Sequence, residues 1–191
     1  MGRGDESEAV KIEIEISDTQ GHLRVVPDDL AALARSVLAA EGRRHASISI
    51  ALVDQAAIHA INREHLGHDW PTDVISFDLS EPGDPVLAGE LVVSAEMAAI
   101  TAANLGVEPG DELALYVVHG ILHICGYDDM NEADVAAMRR REDELLRAVG
   151  RSSPFDRGAR RSGSHADLAQ SPSSVGARQS TGRAESSPCS A

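Results

Sequence analysis

The sequence predicts one α+β domain, a small mixed four-stranded sheet packed with about five helices, and three observations support that class. Apolar residues make up 42% of the 191 residues and aromatics only 3%, so Ala, Val, Leu and Ile must build the core. Segments of strand and helix periodicity follow one another in the order β-α-β-α-β-β-α-α-α. Near Gly150 the composition shifts: 11 of residues 151–191 are serine, with Phe155 the only aromatic. Such a segment buries too little apolar surface to offset its ordering entropy, so residues 151–191 read as a disordered Ser/Gly/Arg-rich tail behind a folded body of residues 1–150.

Each element has a local cause. Residues 10–17, Val-Lys-Ile-Glu-Ile-Glu-Ile-Ser, alternate apolar and polar as a half-buried strand does. Pro27-Asp28-Asp29 opens a helix that runs to about Ala40, with Gly42 beyond its end. Residues 48–53 form a second strand. Asp54 can cap a helix that runs to about His65 before Gly67. Residues 74–79 form a third strand, residues 81–85 a Pro- and Gly-containing loop, and residues 90–93 a fourth strand. Three helices follow at about 95–105, 110–125 and 131–149.

Charge and cysteine content exclude several function classes. The chain carries 17 basic and 31 acidic side chains, a net −14, and Lys11 is its only lysine. Non-specific nucleic-acid binding usually needs a basic face, so any nucleic-acid function requires a local cationic site. No stretch has the roughly 18 uncharged apolar residues of a membrane helix. The polar start, Met1 to Glu6, lacks the apolar region of a secretory signal. Cys125 and Cys189 are too few and too far apart for a disulfide scaffold, which suits a reducing cytoplasm.

The chemistry concentrates in His119-Gly120-Ile121-Leu122-His123-Ile124-Cys125-Gly126-Tyr127-Asp128-Asp129. Four residues apart on a helix, His119 and His123 share one face, and the helix around them is apolar nearly all round. Gly126 can end that helix, and Asp129 could then meet both imidazoles from the returning turn. Two imidazoles, one carboxylate and an open position make the usual ligand set of a catalytic zinc. The alternative is a pair of core histidines satisfied by backbone carbonyls. The spacing is similar to the H-E-x-x-H-x-x-G-x-x-H of metzincin peptidases. Gly120 replaces their general-base glutamate, which weakens a peptidase reading.

These residues also resemble the YbeY family of endoribonucleases, whose H-G-x-L-H-x-x-G-Y-D-H hallmark differs here only at Asp129. Residues 61–77 are similar to the family stretch L-N-x-x-x-R-G-x-D-x-P-T-D-V-L-S-F, and Gly89-Glu90-Leu91 to its G-D-I or G-E-L. The resemblance covers roughly residues 10–149. It implies a zinc-dependent, single-strand-specific endoribonuclease acting in 16S rRNA 3′-end maturation and ribosome quality control. Its partners would be rRNA and the ribosome or a ribosomal protein, with no membrane and no DNA. It also implies one Zn²⁺ per chain, held by His119, His123 and, in place of a third family histidine, Asp129. The arginine expected at the sixth position of L-N-x-x-x-R is Leu66 here. Arg63, one helical turn earlier, then becomes the phosphate-contacting cation. A non-catalytic ribosome-assembly factor with a structural metal, and a metal hydrolase of another substrate, are the rival readings.

The neighbouring residues are read more plainly. Asn62, Asp69, Thr72 and Asp73 cap and close the turn before the third strand. His65 and His68 belong to a solvated loop, and Tyr127 and Trp70 pack beside their turns, with base stacking the alternative. Asp128 is a turn residue or a partner to a ligand imidazole, and Cys125 a buried thiol facing away from the ligands. Arg139 to Glu144 form a solvated, charge-laced helix face.

Overall fold

A computed structural model of the chain describes residues 9–152 and 176–178. The elements are β1 (Lys11–Asp18), α1 (Pro27–Ala40), β2 (His45–Val53), α2 (Gln55–Ile61), β3 (Val74–Asp78), β4 (Leu87–Ser94), α3 (Ala95–Leu105), α4 (Pro109–Cys125), α5 (Glu132–Ala148) and β5 (Gly176–Arg178). The sheet order is β1-β2-β4-β3-β5. Strands β1, β2 and β4 are parallel, and β3 returns antiparallel beside β4. This is the expected α+β arrangement with four mixed strands and five helices. A fifth strand of three residues, β5, adds parallel to β3; apart from it and residues 151–152, the expected tail lies outside the described residues.

Side-chain alternation explains the strand sequences. Ile12, Ile14 and Ile16 of β1 and Ala46, Ile48, Ile50 and Leu52 of β2 point to one face, into a core shared with apolar residues of α1, α4 and α5. On the opposite face Ser47 of β2 is exposed, as are Lys11, Glu13, Glu15 and Ser17 of β1. That division produces the strict apolar/polar pattern of β1. In β3 the alternation disappears, because α2 covers the second face through Ile58 against Ile75, Phe77 and Val92. Val74 to Phe77 are therefore all buried.

Helix α4 is the centre of the domain. It contacts α1, α3, α5, β3 and β4, and ten of its 17 residues are buried. Two glycines let it lie close to the sheet. A Cβ on Gly120 would fall 2.7 Å from Leu91 Cδ2, 3.0 Å from Ser76 Oγ and 3.1 Å from Val74 Cγ2. A Cβ on Gly89 of β4 would fall 2.7 Å from Ile124 Cδ1. With the helix backbone this close to the sheet, a larger residue at either position forces its neighbours to shift.

One helix differs from expectation. The α-helical part of the second helix ends at Ile61 and a π-helical turn, Asn62–Leu66, completes it. Buried Asn62 explains the change: its Nδ2 donates to the Trp70 carbonyl at 2.9 Å, and its own carbonyl accepts from His68 N. These bonds draw the following segment back over the turn, and Gly67 takes the left-handed conformation, φ 69°, that the reversal requires.

Candidate metal centre

Helix α4 carries His119 and His123 into one site, as their spacing predicts. The helix ends in a Schellman arrangement: Gly126 N donates to the His123 carbonyl and Tyr127 N to the Leu122 carbonyl, both at 3.0 Å. Gly126 stands at φ 104°. The reversed chain returns Asp129 to the histidines, its N–H held by Asp128 Oδ1 at 2.8 Å. One ligand atom from each of His119, His123 and Asp129 lies within 4.8 Å of the other two. Among the described residues this is the one such group of three.

The protons on the imidazoles follow from their partners. His119 Nδ1 lies 2.6 Å from Glu142 Oε1, and His123 Nδ1 lies 3.1 Å from the Tyr127 carbonyl. A carboxylate and a carbonyl only accept, so each Nδ1 donates. Both Nε2 atoms therefore turn lone pairs toward one another, 3.0 Å apart. Two lone pairs at that distance repel unless a proton or a metal ion lies between them. Zinc, which takes imidazole nitrogen at ~2.0–2.1 Å, fits this donor set, and Asp129 Oδ2, 3.9 Å from His123 Nε2, supplies the anionic third donor.

The surroundings favour a positive ion. Burial lowers the His119 pKa, but the Glu142 bond and the charges of Glu142, Asp73 and Asp129 outweigh it and raise the value above 6.5. Burial and the neighbouring His119 lower the His123 pKa, against Asp129 and the Tyr127 carbonyl. The metal-free pair therefore suits one shared proton, which a metal ion would displace. One turn back on α4, burial raises the Tyr116 pKa, with Thr101 opposing and Glu112 and Asp73 adding, and keeps the phenol protonated.

Glu142 is the residue that sequence reasoning missed. It lies in the run Arg139 to Glu144 that reads as a solvated face, yet it is 6% exposed. Its signal was the stripe Met138, Glu142, Leu145 and Leu146, the buried residues of α5, in which a carboxylate occupies a core position. Arg141 of the same run bonds Glu41 Oε1 at 2.7 Å and Glu144 Oε2 at 2.8 Å. Asp73 was also underread: it closes the turn through Val74 N at 2.8 Å, and its charge also reaches His119.

The remaining candidates separate clearly. Gly120 faces the sheet, so a glutamate there would point into Leu91 and Val74 and not toward the metal ligands. Asp128 is exposed and serves the turn. Cys125 is a half-buried free thiol whose carbonyl accepts from Arg43 at 2.9 Å. Arg63 is exposed in the π turn, and Leu66, at the family arginine position, is the last residue of that turn. His68 is half-buried against Trp70, which corrects its solvated-loop reading, while Trp70 packs on it beside the turn as expected and stays exposed on its other side.

The family model described as Endoribonuclease YbeY matches residues 15–150. A Rhodopirellula baltica protein named Endoribonuclease YbeY is 43% identical over 146 residues, 75% of this chain and 74% of its own length. One of the same name from Pelotomaculum thermopropionicum is 39% identical over 142 residues, 69% of this chain and 93% of its own. The solution structure of a Thermotoga maritima protein aligns with a TM-score of 0.50 at 24% identity, over 75% of this chain and 97% of that one, and shows the same fold. A match over residues 15–150 that contains His119, His123, Asp129 and Glu142 shows that this chain belongs to the YbeY family of endoribonucleases.

Proposed function

We propose that the chain is a zinc-dependent, single-strand-specific endoribonuclease that matures the 3′ end of 16S rRNA and takes part in ribosome quality control. The convergence of His119, His123 and Asp129 in a chain of this family carries the reading. When bound, the ion supplies Lewis-acid chemistry to the phosphodiester. The residues of the chain do the rest. Glu142 and the Tyr127 carbonyl fix both imidazoles with Nε2 toward the ion. Asp129 neutralises part of its charge. The sheet packed against Gly120 backs the helix that carries both histidines. Arg63 contacts a substrate phosphate and offsets negative charge as it develops. Docking on the ribosome or a ribosomal protein in the cytoplasm would bring RNA to a chain of net charge −14.

The test is cleavage of a single-stranded rRNA 3′-end fragment by the full chain. Zinc-loaded protein, chelator-stripped protein and His123→Ala are compared. Activity confined to the loaded wild type is expected; equal traces in all three would refute the enzyme reading. Arg63→Ala should lower turnover without changing zinc affinity. Leu66 favours one rival, a non-catalytic assembly factor. Tight ribosome association without turnover would establish it.

A further inference from the structure

Trp70 is the one tryptophan of the chain. Among the described residues it is also the one exposed aromatic side chain, at 41%. Its indole lies on the His68 imidazole, with centroids 4.2 Å apart and planes 18° from parallel. His68 Nδ1 is buried without a hydrogen-bond partner among the described residues, so the stack and not a bond at that nitrogen orients the ring. The segment is anchored from both sides. Asn62 Nδ2 holds the Trp70 carbonyl, and His59 Nε2 lies 2.9 Å from Asp69 Oδ1. The platform is thus a presented aromatic surface on a tied loop.

Its position relates it to the metal centre. Val74 follows Trp70 by four residues, and its Cγ2 would lie 3.1 Å from a Cβ placed on Gly120, the neighbour of His119. Four extended residues reach at most about 14 Å. Arg63 is exposed on the turn that Asn62 pins to Trp70. The carboxylates of Asp73, Asp129 and Glu142 act on the imidazoles and repel a polyanion, which Arg63 and a bound cation offset only in part. A strand that reaches the site therefore needs an uncharged source of affinity, and every nucleobase has a π-face to offer.

We propose that the Trp70–His68 stack is a base-stacking subsite that takes one unpaired nucleobase of the RNA whose phosphodiester sits at His119, His123 and Asp129. The inference rests on the RNA reading above and deepens it. Bases inside a duplex already stack on one another, so the platform selects single strands.

The single tryptophan makes the test direct. The full zinc-loaded chain is titrated with a short single-stranded 2′-O-methyl oligoribonucleotide while Trp70 fluorescence is followed. The same oligonucleotide in a duplex, and an abasic oligonucleotide of equal charge, serve as comparisons. Quenching by the single strand alone is expected. Trp70→Ala should weaken its binding about 5- to 150-fold, the range for one base on an aromatic side chain, with zinc affinity and salt slope unchanged. Trp70→Phe, which keeps a ring, should recover most of that loss and guards against a folding defect in the alanine variant. Equal quenching by the abasic oligonucleotide, or unchanged affinity in Trp70→Ala, overturns the proposal. Cleavage with a silent Trp70 refutes the subsite and leaves the nuclease reading intact. Base-dependent quenching by the methylated strand, with no cleavage of an unmodified rRNA 3′-end fragment, does the reverse.

Discussion

Glu142→Gln isolates what the carboxylate beneath His119 contributes. The Glu142 Oε1 to His119 Nδ1 bond is 2.6 Å, with side chains only 8% and 17% exposed, so solvent screens it little. A hydrogen bond to a charged group contributes about 1.5–3 kcal/mol, or roughly 10- to 150-fold in an equilibrium constant. Residues that orient metal-bound histidines typically govern 10–100-fold of metal affinity. Glutamine keeps the size and the acceptor oxygen while removing the charge, so a loss of about 10- to 100-fold in zinc affinity is expected. Competition against a chromophoric chelator measures it. The loss should be greatest at mildly alkaline pH and shrink on acidification. The raised pKa makes protons compete with zinc for wild-type His119 at higher pH than in the variant. The same pKa sets a sign for stability in the metal-free protein. Protonated His119 stabilises the fold below about 6.5, the unfolded value, and this is lost as pH rises through the higher folded value. Zinc affinity within about twofold of wild type at alkaline pH would refute this account of Glu142.

Two other substitutions probe the scaffold and the ligand set. Gly120→Ala gains about 1 kcal/mol of helix propensity but forces a Cβ to 2.7 Å from Leu91 Cδ2, and such overpacking costs about 1–3 kcal/mol. A net loss of about 1 kcal/mol, read by thermal denaturation of the metal-free chain, is expected together with weaker zinc binding; a variant that melts above wild type contradicts the close-packing argument. Asp129→His exchanges a hard anionic donor for a neutral imidazole, so the ratio of zinc to manganese affinity should rise, whereas Asp129→Asn should weaken both, as direct binding titrations can check.

The sequence reveals most where its signals are local. The alternation in β1, the proline start of α1 and the glycine end of α4 each act within a few residues, and the structure follows them closely. His119, His123 and Asp129 were legible for the same reason: one turn of helix and one glycine reversal bring them together. Strand order was not legible, because the pairing of β2 with β4 joins segments on either side of α2 and β3. Glu142 was hidden differently. It lies 23 residues beyond His119 within a run of charges, and only the packing of α5 on α4 gives it a buried partner. Gly120 reads in sequence as a missing glutamate; in the fold it is the point where α4 meets Leu91, Ser76 and Val74.

The order of the centre along the chain has a consequence for synthesis. Strands β1 to β4 are complete by Ser94, but His119 and His123 arrive only with α4, and Glu142 only with α5. A nascent chain that has reached Asp129 holds all three donors, while nothing yet fixes the tautomer of His119. Tight binding of the proposed metal would therefore wait for the last helix to dock. Premature termination before Glu142 would leave the side of α4 that packs on α5 uncovered.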